Sequence, residues 1–144
     1  MSETTVFVSF DVDHDRDLGE RLSAQLQRGG SGFVVSARSE SGMVTERWCE
    51  SVRRRIRNAD QVIVICGEHT EDSLRVNSEL RIAQEESKPY LLLWGRRERM
   101  CTMPARVARA GCMYSWTWEI LTQQVTETLR KAQPLEVPER YKRP

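Results

Sequence analysis

Val62-Ile63-Val64-Ile65-Cys66 is an unbroken run of five apolar residues. A strand with one wet face alternates polar and apolar side chains. A run without alternation reads as a buried strand, of the kind found in parallel sheets covered on both faces. Gly67 and small polar residues follow, and then Val76, Leu80 and Ala83 recur at helical spacing.

The rest of the chain repeats this alternation. Val6 to Phe10 reads as a first strand, and Leu18, Leu22 and Leu26 mark a first helix that Gly29-Gly30-Ser31-Gly32 ends. Phe33-Val34-Val35 is a short second strand. Trp48, Val52 and Ile56 mark a second helix, closing near Asn58. The third helix stops before Lys88-Pro89, because the residue before a proline disfavours helical dihedrals. Tyr90 to Trp94 and Cys112 to Ser115 supply strands four and five, and Leu121, Val125 and Leu129 mark the last helix. Between them, residues 95–111 are rich in Arg and Met, with room for a short helix after Pro104. Strands alternating with helices and joined by right-handed crossovers predict a flavodoxin-like, three-layer α/β sandwich around a mainly parallel five-stranded sheet. The 144 residues suit one domain. We expect it over residues 1–133, with residues 134–144, which hold three prolines and five charges, as a loose tail.

Charge and composition exclude several classes. With 22 basic and 21 acidic residues the net charge is +1, against the strong basicity of an obligate nucleic-acid binder. No apolar stretch is long enough to span a membrane. Met1 to Thr5 lacks the features of a signal peptide, so the cytoplasm is the expected location. The four cysteines form no C-x-x-C pair, and His14 and His69 lie far from any such pair. No metal site is expected, and the cysteines read as free thiols, with Cys66, Cys49 and Cys112 packed as small apolar residues.

In an open α/β sheet, ligands bind beyond the carboxyl ends of the strands. A phosphate-accepting receiver domain needs an aspartate at the end of strand three, where Cys66-Gly67 stands. A flavin phosphate loop after strand one is replaced by Asp11-Val12-Asp13, which repels a phosphate. The acidic run from Asp11 to Asp17 is ordinarily explained as helix capping. Arg53-Arg54-Arg55 with Arg57 ordinarily reads as a solvated helix face, and so does Glu79 taken alone.

Taken in order, these blocks resemble the TIR-like domains of bacterial Thoeris anti-phage systems. The resemblance rests on Val6 to Asp11 with Asp15 to Leu18, on Trp48 through Arg53 to Asp60, and on Val62 to Thr70 with Ser73, Val76, Glu79, Ala83 and Lys88-Pro89. It covers about residues 5–94. Ala37 departs from the family, which usually has an acid shortly before the serine, here Ser39. Arg75 and Ser78 stand where aromatic residues are common. The resemblance implies cleavage of the nicotinamide–ribose bond of NAD⁺, as a substrate and without a cofactor, giving an ADP-ribose-derived, cyclic signal for a separate effector protein. Glu79 would be the catalytic carboxylate, stabilising oxocarbenium character at the ribose. Phe10, Asp11, Ser39, His69 and Thr70 would contact the substrate, with Phe10 stacking on a base. Self-association through TIR–TIR contacts is also implied. Two alternatives stand beside this: a non-catalytic interaction module that signals by assembly, and a nucleoside glycosyl-transfer enzyme of similar fold.

Overall fold

A computed structural model describes residues 3–28, 31–107 and 112–132. Five strands, β1 (Thr4–Ser9), β2 (Phe33–Arg38), β3 (Gln61–Cys66), β4 (Tyr90–Trp94) and β5 (Met113–Ser115), form one sheet in the order β2-β1-β3-β4-β5, every neighbouring pair parallel. Helices α1 (Arg16–Leu26), α2 (Glu46–Arg57), α3 (Leu74–Glu85) and α4 (Trp118–Ala132) connect and cover them. The expected flavodoxin-like sandwich is thus observed. The short helix expected after Pro104 is a 3₁₀ turn at Ala105–Val107. The tail call, residues 134–144, and the glycine pair Gly29-Gly30 lie outside the described residues.

β3 shows why its sequence does not alternate. Val62, Val64 and Cys66 pack with Val52, Ile56, Val76 and Leu80 on the α2–α3 side. Ile63 and Ile65 pack with Leu18, Leu22, Leu121 and Val125 on the α1–α4 side. All six β3 residues are buried. The central strand therefore ends, at Cys66-Gly67, in the middle of the sheet's carboxyl edge.

Local chemistry sets the helix starts there. Ser73 caps α3, its Oγ accepting from Val76 N at 3.3 Å, and Thr45 caps α2, accepting from Trp48 N at 3.2 Å. Asp15 holds the cap position of α1 but makes no capping bond. Its carboxylate turns to Arg96 at 3.1 Å, and Arg96 also binds Asp17 at 2.9 Å. The acidic run is thus only partly a helix cap. Two other expectations change. Arg53 binds Glu85 of α3 and Glu86 just after it, Arg57 binds Glu86 and Arg55 binds Glu40, so these three arginines tie α2 to its neighbours instead of lying free in water. Of the cysteines, Cys66 and Cys101 are buried, Cys49 is half-buried and Cys112 is exposed; Cys112 is therefore not packed as expected. Burial pushes the Cys66 thiol up to about 12.

Candidate active site

Helix α3 leaves its cap at the carboxyl edge of β3 and turns Glu79, on its second turn, into the protein. Glu79 is 0% exposed. Its Oε1 accepts from two hydroxyls, Ser9 Oγ at the end of β1 and Ser39 Oγ just after β2, both at 2.7 Å. Ser39 Oγ in turn accepts from Phe10 N at 3.0 Å. The ends of two adjacent strands, β1 and β2, thus converge on one carboxyl group carried by α3. Its other oxygen, Oε2, meets no partner among the described residues. Burial, which disfavours the charged form, raises the Glu79 pKa to about 7; the Ser9 and Ser39 bonds and the charges of Arg75 and Arg55 hold it from rising further. The solvated helix charge that Glu79 suggests in isolation is not what the fold contains.

Arg75 precedes Glu79 by four residues, so the two share one helix face, a turn apart. Arg75 lines a crevice of ≈ 480 Å³ at the carboxyl edge, together with Asp11, Asp13, His14, His69 and Asp72. Its guanidinium reaches across to Gly42 O at 2.6 Å and Asp13 Oδ2 at 3.2 Å, tying α3 to the loops after β2 and β1. Asp11 is buried, accepting from Asp13 N at 3.0 Å and bonded to His14 Nδ1 at 2.8 Å. The His14 and His69 rings stack with centroids 4.0 Å apart and 27° between planes. Ser39 opens on a second hollow of ≈ 330 Å³, which Arg16 and Arg38 also line.

Of the residues expected to meet a substrate, Asp11 and His69 share the first crevice, and Ser39 links the second hollow to Glu79. Phe10 and Thr70 are placed differently. Phe10 lines the second hollow beside Ser39 but is only 3% exposed, its ring in the core against the Cα of Gly19, where a Cβ would collide with it. Thr70 is 0% exposed, and its Oγ1 accepts from Gly67 N at 2.8 Å, holding the turn after β3. At the departures noted above, Arg75 does sit on the crevice rim, whereas Ser78 is buried within α3.

Two site residues escaped the sequence reading. Ser9 is a lone hydroxyl inside an apolar run, and that isolation was its only signal. His14 was visible as an imidazole three residues after Asp11, but the loop that joins them was not. Chemically, the arrangement offers one buried carboxyl group of raised pKa and, a helical turn away at Arg75, a crevice whose Asp11, Asp13 and Asp72 favour a ligand that carries or develops positive charge. Among the described residues, no group of three or more His, Cys, Asp or Glu is arranged to hold a metal ion.

The TIR domain family profile matches residues 6–115. Two solved structures share the fold. The CMP N-glycosidase BcmB of Clostridium botulinum aligns with a TM-score of 0.52 at 15% identity, over 86% of this chain and 99% of its own. A prokaryotic SEFIR domain aligns with a TM-score of 0.54 at 19% identity, over 89% of this chain and 97% of its own. A comparison with curated proteins finds no match.

Proposed function

The chain belongs to the TIR domain family, and on that premise we propose that it is an NAD⁺ glycohydrolase or ADP-ribosyl cyclase that uses Glu79. The observation that carries this reading is the convergence of Ser9 and Ser39 on one buried carboxyl group with an unpartnered oxygen, one helical turn from the charge of Arg75. Nicotinamide bound to ribose is cationic and leaves as a neutral base, so its departure needs no general acid. The electron pair of the C1′–N bond goes to nicotinamide, and C1′ becomes oxocarbenium-like. An ionised Glu79 stabilises that charge, worth on the order of a hundredfold or more in rate for a preorganised group. Asp11, Asp13 and Asp72 favour the same cationic half of the substrate. The C. botulinum structure is named as a CMP N-glycosidase, so this fold is compatible with breaking a base–ribose bond.

Substrate reaches Glu79 when the Arg75 tie to Gly42 and Asp13 opens. The product is an ADP-ribose derivative, which a separate effector senses in the bacterial cytoplasm during phage infection. Nicotinamide release from NAD⁺ tests the reading: Glu79→Gln abolishes it while circular dichroism stays unchanged. Near-normal turnover by that variant removes Glu79 from the chemistry. The alternative, a non-catalytic module signalling by TIR–TIR assembly, is favoured by one observation, the complete burial of Glu79. It prevails if Glu79→Gln still protects infected cells.

A further inference from the structure

Asp11 and His14 form a dyad whose capacity to take up a proton the glycosidic step leaves unused. The Asp11 side chain is 6% exposed, and one of its carboxylate oxygens is fixed by Asp13 N at 3.0 Å. The other lies 2.8 Å from His14 Nδ1. A carboxylate only accepts, so Nδ1 carries the proton and Nε2 keeps its lone pair in the neutral ring. The ring is further fixed by stacking on His69. His14 lines the ≈ 480 Å³ crevice, and its side chain is 49% exposed, open to solvent for proton exchange. His69 stands in the same crevice but has no carboxylate bond among the described residues.

We propose that His14 is the general base for the second half of the reaction, taking the proton from the hydroxyl that captures the ribosyl cation, with Asp11 as its positioning residue. The proposal rests on the glycosidic reading above. Once nicotinamide has left, the oxygen of a hydroxyl acceptor, water or a sugar hydroxyl, forms the new C1′–O bond. Its O–H bond breaks, the proton passes to Nε2, and the imidazolium charge is balanced by Asp11. Solvent then removes the proton.

The division of labour makes a sharp test possible. A neutral pyridine attacks C1′ through nitrogen and has no proton to lose, so base exchange bypasses His14 while hydroxyl capture needs it. Unmodified protein, His14→Gln, Asp11→Asn and Glu79→Gln are given NAD⁺ with a labelled pyridine, and exchanged dinucleotide is measured beside ADP-ribose products. His14→Gln is expected to lose hydroxyl capture on the order of a hundredfold and to keep base exchange close to the unmodified level. Asp11→Asn lowers both reactions, since Asp11 also attracts the cationic half of the substrate, but lowers capture further, so the ratio of capture to exchange falls, more weakly than in His14→Gln. Glu79→Gln loses both.

The pH profile adds a readout that a structural role does not move. Capture requires neutral His14, so it falls at low pH with one more proton than base exchange does. Asp11, Asp13 and Asp15 from the first loop raise the His14 pKa, Asp11 by its hydrogen bond most of all. His69 and Asp72 from the loop after β3, and Arg75 from α3, face the same crevice. Asp11→Asn therefore moves the acid limb of capture to lower pH. If both reactions fall in parallel in His14→Gln, or neither changes, the dyad is not the base, although Glu79 still is catalytic. If the unmodified protein performs neither reaction in lysate from infected cells, the glycosidic reading falls and the dyad's role with it.

Discussion

At the scale of single residues, Glu79 sets stability against function. Its pKa is about 7 in the fold against an ordinary 4.5. Below pH 4.5 the group is protonated in folded and unfolded chains alike, and Glu79 takes nothing from stability. As pH rises from 4.5 to 7 the unfolded chain ionises first, so stability falls, by about 3 kcal/mol once both forms are ionised. Glu79→Gln has no such titration and keeps an acceptor for Ser9 and Ser39. Chemical denaturation across pH 4.5 to 8 should therefore show the variant most favoured at pH 8, with the gap narrowing as pH falls. A gap that does not change with pH contradicts the raised pKa. Catalysis needs the opposite form, so nicotinamide release should rise as pH climbs through about 7. Arg75 lowers the Glu79 pKa, so Arg75→Ala should move that acid limb to higher pH; an unmoved limb separates the two charges. Neither effect was legible in the sequence. The family resemblance set Glu79 apart from Glu68, Glu71 and Asp72, but only the fold shows the burial that raises its pKa.

At the scale of elements, the turn after β3 places α3 and therefore Glu79. Gly67 leaves no room for a side chain: a Cβ there would meet the carboxylate of Asp15, which Arg96 holds in place. Thr70 Oγ1 closes the same turn. Gly67→Ala should cost on the order of 1–3 kcal/mol, as other overpacked sites do, read as a lower urea midpoint. It should also reduce turnover, because α3 cannot keep its angle. An unchanged midpoint shows that the Asp15 carboxylate moves aside freely. The strand and helix periods were readable here, since β3 is apolar from Val62 to Cys66 and α3 repeats on Val76, Leu80 and Ala83. The contacts of Asp15 with Arg96, 81 residues apart, were not.

At the scale of the whole molecule, apolar side chains stand beside the crevice in water. Met43 is 82% exposed and Leu74 68%, and both line its edge. If TIR–TIR contacts switch the enzyme on, turnover should rise faster than linearly with protein concentration, and Met43→Ser should flatten that rise without changing the fold. Strictly linear turnover in both proteins, from a monomer confirmed by light scattering, contradicts association.

The sequence by itself determined the class of fold. Apolar period and run length record which faces must leave water, and that information is local to each segment. It also marked Glu79 and the strand-end loops as candidates through their resemblance to a family. Only the tertiary structure decided that Phe10 and Thr70 face inward, that Ser9 and Ser39 meet one carboxylate, and that His14 leans on Asp11. Those outcomes depend on how strands far apart in the chain register beside one another, and a desolvated carboxyl group acquires its pKa only when all of them are in place.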